Sequence, residues 1–146
     1  MNIAIGSDHA GYRYKTMLAE MLREAGHDVI DFGTNSEERA DYPDYAVATA
    51  RSVGSGQSQA GVLVCGSGIG VAITANKITG VRAATCVTPE MAKLSRMHNN
   101  ANVVCIGERL VTPDEAKEIV NEFLQTGFEG GRHEDRVAKI HSLTGR

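Results

Sequence analysis

The sequence predicts an α/β fold, an open three-layer sandwich in which a five-stranded parallel sheet carries helices on both faces. Short β-branched apolar runs alternate with segments of helical periodicity along the 146 residues. The runs are apolar almost without interruption, as in strands covered on both faces. No linker, repeat or low-complexity tract divides the chain, so residues 1–146 are expected to form one domain, for which the length is sufficient. Parallel strands joined by helices cross over with right-handed connections, and the expected architecture is therefore Rossmann-like.

The five strands are read at "NIAIG" from Asn2, "DVIDFG" from Asp28, "GVLVCG" from Gly61, "VRAATCV" from Val81 and "NVVCIG" from Asn102. After the first, Met17, Leu18, Met21, Leu22 and Ala25 recur at helical spacing and stop at Gly26. Further helices are expected from near Tyr45 to Val53, from Ile69 to Lys77 and from Pro89 to His98. Thr112-Pro113-Asp114-Glu115 reads as a capping box with proline at the first helical position. It opens a helix whose stripe is Ala116, Ile119, Val120, Phe123 and Leu124. Gly130 and Gly131 then break the chain before a last, charged helix with little apolar face of its own, expected to extend toward a partner subunit.

Composition narrows the function. With 42% apolar residues, 23% charged residues and a net charge of -3, no basic surplus points to nucleic acid or an acidic membrane surface. Met1 runs directly into a strand and no apolar run is long enough to span a bilayer, so a cytoplasmic protein is expected. Cys65, Cys86 and Cys105 are odd in number and widely spaced, which argues for reduced thiols over a disulfide framework.

In open α/β sheets, ligands sit beyond the carboxyl ends of the strands. There the first strand runs into Gly6-Ser7-Asp8-His9-Ala10-Gly11 and the third into Cys65-Gly66-Ser67-Gly68-Ile69-Gly70, while His98-Asn99-Asn100 precedes the fifth. The glycine loop suits an anion cradle, since its backbone N–H groups can be exposed and a helix follows. A thiolate at Cys65 would feel the same field and act as a base. The alternative is a buried core cysteine that ends a strand.

Other candidates carry the same ambiguity. Asp8-His9 is either an acid/base and phosphate pair or a solvated turn, and His98 is either chemical or a partner of the helix dipole. Tyr42, in "DYPDYA", is either packed or exposed. Arg132 and Arg136, four apart, present two guanidinium groups on one helix face, as a phosphate site would; a solvated charged helix does the same, and Arg109 is equally double. Gly66-x-Gly68-x-Gly70 has the wrong spacing and the wrong strand for a dinucleotide fingerprint, and Tyr12 stands where a P-loop needs lysine. A thiol phosphatase would want an arginine where Val71 is. No metal site is expected, because His9 and His98 lie on different loops without a ligand cluster.

The stretches "GSDHAGY", "DYPDYA", "CGSGIG", "ANK", "GVRAA", "LSRMHNNANV" and "GGRHEDRV", in this order, closely resemble the type B ribose-5-phosphate isomerases, a family that includes the bacterial galactose-6-phosphate isomerase subunits. The resemblance spans nearly the whole chain. It implies an aldose-ketose isomerase that interconverts ribose 5-phosphate and ribulose 5-phosphate through an enediolate, in the pentose phosphate pathway, with neither cofactor nor metal. It implies Cys65 as the base, and Ser67 with the N–H groups of Gly66, Gly68, Ile69 and Gly70 as the enediolate loop. His98 matches the ring-opening residue, Asp8 a group handling hydroxyl protons, and Tyr42 and Asn99 substrate contacts. His9, Arg109, Arg132 and Arg136 match phosphate-side residues. Members that lack the cysteine use a glutamate on the following helix; Val71, Ala72, Ile73 and Thr74 supply no carboxylate here. The family's site lies between subunits, which implies a homodimer or a dimer of dimers. Two alternatives stand beside this reading: a hexose-phosphate isomerase acting on allose or galactose 6-phosphate, and a non-catalytic phosphate- or nucleotide-binding module.

Overall fold

A computed structural model describes residues 1–146. Its elements follow the alternation expected from the sequence: β1 (Asn2–Ser7), α1 (Tyr12–Glu24), β2 (Asp28–Asp31), α2 (Tyr42–Gly54), β3 (Ala60–Cys65), α3 (Ile69–Ala75), β4 (Ala83–Thr85), α4 (Pro89–Asn99), β5 (Val103–Gly107), α5 (Pro113–Gln125) and α6 (Arg132–Thr144). The strands form one parallel sheet in the order β2-β1-β3-β5-β4.

The period-2 alternation of the strands sorts their side chains into two cores. Ile3, Ile5, Val62, Val64, Val104 and Ile106 pack with Leu18, Leu22, Ile119 and Phe123, which places α1 and α5 on one face together with Ala92 of α4. Ala4, Leu63, Cys65 and Cys105 face the other way and pack with Ala46, Ala50 and Val53 of α2 and Val71 and Ala75 of α3. Cys65 thus ends β3 on the α2/α3 side. No helix is long and apolar enough to cross a membrane.

Boundaries depart from expectation at several places, α3 among them, which ends at Ala75 and not at Lys77. Helix α2 starts at Tyr42, three residues before Tyr45, because Pro43 sits in the first turn, where its missing N–H costs nothing. Strand β4 keeps only Ala83–Thr85 of the seven-residue run, since it is an edge strand paired to β5 alone. Strand β2, the opposite edge, ends at Asp31.

The carboxyl end of β1 is held by two tight features. An ideal Cβ on Gly11 would lie 2.6 Å from the backbone carbonyl of Val64, so only glycine lets the turn after β1 rest on β3. Below it, the ammonium of Lys15, 2% exposed, donates to both carboxylate oxygens of Asp31 at 2.8 and 2.6 Å, and Asp31 also accepts from the Gly33 N–H at 2.8 Å. Asp31 itself reaches solvent, but removing its carboxylate strands the buried ammonium. Asp31→Ala is therefore expected to lower unfolding stability by about 1 to 3 kcal/mol, with Lys15→Met in the same chain recovering most of the loss, both read from urea midpoints. A double variant no more stable than Asp31→Ala would show that the carboxylate acts through Gly33 and not through the lysine.

Candidate active site

Beyond the carboxyl ends of β1 and β3 lies a cavity of about 260 Å³ lined by Asp8, His9, Ala10, Tyr42, Cys65, Gly66, Ser67, Gly70 and Arg109. The loop after β3 is its floor. Cys65 is buried, and its Sγ accepts a hydrogen bond from the Gly68 N–H at 3.1 Å, which anchors the sulfur. The N–H groups of Gly66 and Ser67 have no partner within the chain, whereas the Ile69 N–H donates to Ser67 Oγ at 3.2 Å.

Each glycine of this loop has a separate reason. Gly68 adopts φ 75°, and a Cβ there would also meet the Ile106 carbonyl carbon at 2.9 Å. A Cβ on Gly66 would lie 3.2 Å from an Arg109 Nη, and one on Gly70 would lie 2.6 Å from Tyr42 Cζ. Gly107, at the end of β5, would strike the Ser67 backbone at 2.6 Å. Two of the loop glycines thus make room for the side chains that wall the cavity. Gly68 and Ile69 do not line it: Gly68 is turned onto β5, and Ile69 is exposed.

The turn after β1 supplies the opposite wall. Asp8 Oδ1 accepts from the Gly11 N–H at 3.1 Å, so this buried carboxylate caps the short helical turn His9–Gly11 and has a second oxygen to spare. His9 Nδ1 sits 3.1 Å from both the N–H and the C=O of Ala40. With Nδ1 bare the ring accepts from the first, and with Nδ1 protonated it donates to the second.

The remaining candidates lie elsewhere on the protomer. His98 and Asn99 end α4, and Arg132 and Arg136 stand exposed on α6; none of the four lines the cavity. His98 stacks on His133, with ring centroids 4.4 Å apart and planes 17° from parallel, and its Nε2 is 3.8 Å from Glu129 Oε2. Asn99 borders a larger groove of about 660 Å³ between α3, β4 and α6. Its wall includes Arg82, whose Nη1 is 2.9 Å from His141 Nε2.

Sequence reading missed His133 and Glu129, although both flank the Gly130-Gly131 turn and His133 shares a helical turn with Arg132. With His98 they bring ligand atoms within 4.8 Å of one another, a grouping not expected from His9 and His98 alone. The imidazole lone pairs lie in the ring planes, and two planes this close to parallel do not converge on one ion. The other two thiols are inert by burial, which pushes Cys86 up to about 11 and raises Cys105 well above the ordinary thiol range.

Comparisons with known proteins cover the whole of this architecture. A family model described as Ribose/Galactose Isomerase matches residues 3–140. The ribose-5-phosphate isomerase B of Escherichia coli K12 is 46% identical over 144 residues, 99% of this chain and 97% of that one. The solved ribose-5-phosphate isomerase B of Clostridium thermocellum superposes with a TM-score of 0.98 at 47% identity, covering 99% of this chain and 98% of its own. That of Mycoplasma genitalium, solved with bound ribulose 5-phosphate, gives 0.95 at 42% identity, covering 99% and 97%. By sequence, by fold and over nearly its full length, the chain belongs to the ribose/galactose isomerase family.

Proposed function

We propose that the protein interconverts ribose 5-phosphate and ribulose 5-phosphate by moving one proton between C2 and C1, with Cys65 as the base. The observation that carries this is the joining, in one cavity, of the Cys65 sulfur, the unpartnered N–H groups of Gly66 and Ser67, the Ser67 hydroxyl, the His9 imidazole and the Arg109 guanidinium. Those are the parts an enediolate mechanism uses. The thiolate takes the C2 proton; the charge that moves onto the C1 oxygen is held by the free N–H groups and Ser67; the hydroxyl proton on O2 passes to O1 as the same thiol returns the carbon-bound proton to C1. A positioned base commonly contributes about 10²- to 10⁴-fold and one oxyanion donor about 10²- to 10³-fold, so the two act together. The scheme uses no metal and no cofactor.

His98, Asn99, Arg132 and Arg136 serve the cavity of a second copy. Support comes from their distance from the cavity of their own protomer and from the apolar side chains left in solvent. Ile69 and Ile73 lie one turn apart on α3, Met91 and Leu94 on α4, and Ile140 and Leu143 on α6, all at least 39% exposed. A two-fold pair of chains would cover such faces and complete both sites. In it His98 opens the furanose ring, Asp8 handles hydroxyl protons, Tyr42 and Asn99 contact the sugar, and Arg132 and Arg136 join His9 and Arg109 at the phosphate. Three free thiols accord with a cytoplasmic setting.

Cys65→Ala is expected to lower ribose 5-phosphate turnover by at least about 10²-fold with thermal stability kept, and turnover close to the parent's would remove Cys65 from the chemistry. Arg132→Ala or Arg136→Ala should raise the Michaelis constant roughly tenfold to a hundredfold while the chain stays folded, whereas an unchanged constant returns both to the solvated face. Mixing refolded Cys65→Ala and His98→Asn chains, each inactive alone, should restore roughly a quarter of parental activity, because half the random pairs carry one intact site of two. A mixture as inactive as its parts would place both residues in one chain's site. Turnover measured side by side on ribose, allose and galactose phosphates ranks the substrates.

A further inference from the structure

His133 is the one buried residue of α6, yet its Nε2 lies out of reach of solvent without a hydrogen-bond partner. A buried polar atom without a partner is costly, so something other than hydrogen bonding keeps the ring there. Its neighbour is His98, stacked face to face at 4.4 Å. The chain between α5 and α6 is laced to the end of α4 to produce this contact: Arg96 Nε donates to the Thr126 carbonyl at 3.1 Å, and the Glu129 N–H donates to the Met97 carbonyl at 3.1 Å. Gly130 at φ 70° and Gly131 at φ 57° then reverse the chain, so that the first turn of α6 falls against His98.

His98 needs such a support. It occupies the last turn of α4 with a side chain 38% exposed, and nothing in its own helix restrains the ring. We infer that His133 is a positioning residue for His98, its stacked ring setting the orientation of the imidazole that, on the reading of the activity given above, opens the sugar ring. A neutral partner suits the task, since a cation against His98 would oppose its protonation. Burial first, and then the neighbouring His98 and Arg132, lower the pKa of His133 and favour its neutral form, with Glu129 opposing and Arg136 adding to the effect.

Ring opening can be separated from the proton transfer at carbon. Ribulose 5-phosphate cannot close a five-membered ring, because the oxygen on its C5 is esterified, so exchange of its C1 proton with solvent deuterium needs the Cys65 chemistry and not the His98 step. Ribose 5-phosphate is largely a furanose and needs both. Displacing a reacting group by about 1 Å can cost about 10²-fold. His133→Ala is accordingly expected to lower kcat on ribose 5-phosphate on the order of 10²-fold with little change in the Michaelis constant, while deuterium exchange into ribulose 5-phosphate, followed by proton NMR, stays within about threefold of the parent. His133→Phe keeps a flat ring and gives up only a nitrogen that has no partner, so it should hold ribose 5-phosphate turnover near the parent's. Equal losses of turnover and exchange in His133→Ala, no loss of either, or a His133→Phe variant as slow as His133→Ala would each overturn the inference. A parent protein that leaves ribose 5-phosphate unchanged would overturn the assigned activity, and this inference with it; an active parent with equal losses overturns this inference alone.

Discussion

The loop that follows β3 lies on the end of β5 with no side chain between them, and the rest of the site is referred to that contact. Gly107 admits the Ser67 backbone and Gly68 rests on Ile106, so two main chains touch where a methyl group on either would force them apart. This seating turns the Gly68 N–H toward the Cys65 sulfur and leaves those of Gly66 and Ser67 unpaired. It also fixes the height of the loop beneath Arg109 and Tyr42, whose side chains take the space that Cβ atoms on Gly66 and Gly70 would fill. Interiors packed to this density transmit small displacements, so the position of the sulfur is set from β5 as much as from its own strand.

Much of this was legible in the sequence, and the reasons are local. Short, nearly continuous apolar runs located all five strands, and the Thr112 capping box located the start of α5, with Glu115 and Thr112 exchanging hydrogen bonds. The convergence of Asp8, His9 and Cys65 followed from strand ends alone, because a parallel sheet gathers its carboxyl termini on one rim, whereas His98, expected on the same rim, ends α4 ahead of β5 and does not line the cavity of its own protomer. What could not be read were facts of packing. The glycines of "CGSGIG" suggested an anion cradle, but Gly66 and Gly70 are required by side chains distant in sequence, Arg109 and Tyr42. The stack of His133 on His98 joins residues 35 positions apart through a turn whose geometry depends on two positive-φ glycines. Periodicity reports which face of a helix is apolar and is silent about a lone buried histidine on a polar one.

The distribution of charge and apolar surface over the protomer has a single explanation in the proposed scheme. A cavity that holds a base and an oxyanion site, but neither the ring-opening histidine nor half of its phosphate-binding cations, is an unfinished one. The apolar residues on α3, α4 and α6 are what a monomer would be expected to conceal. Helix α6 illustrates the division of labour. Inward it buries His133 against α4 and brings His141 to Arg82 of its own chain, while Arg132 and Arg136, on the adjoining surface, remain available to another.

The two thiols that take no part in the scheme have a practical meaning of their own. Burial holds Cys86 and Cys105 in the protonated form far above neutral pH, and only Cys65 opens onto a cavity. A mild alkylating reagent applied to the native protein would meet one competent sulfur per chain. Counting the label incorporated would then count functional sites directly, and a sugar phosphate that occupies the cavity would slow the labelling by an amount that measures its own occupancy.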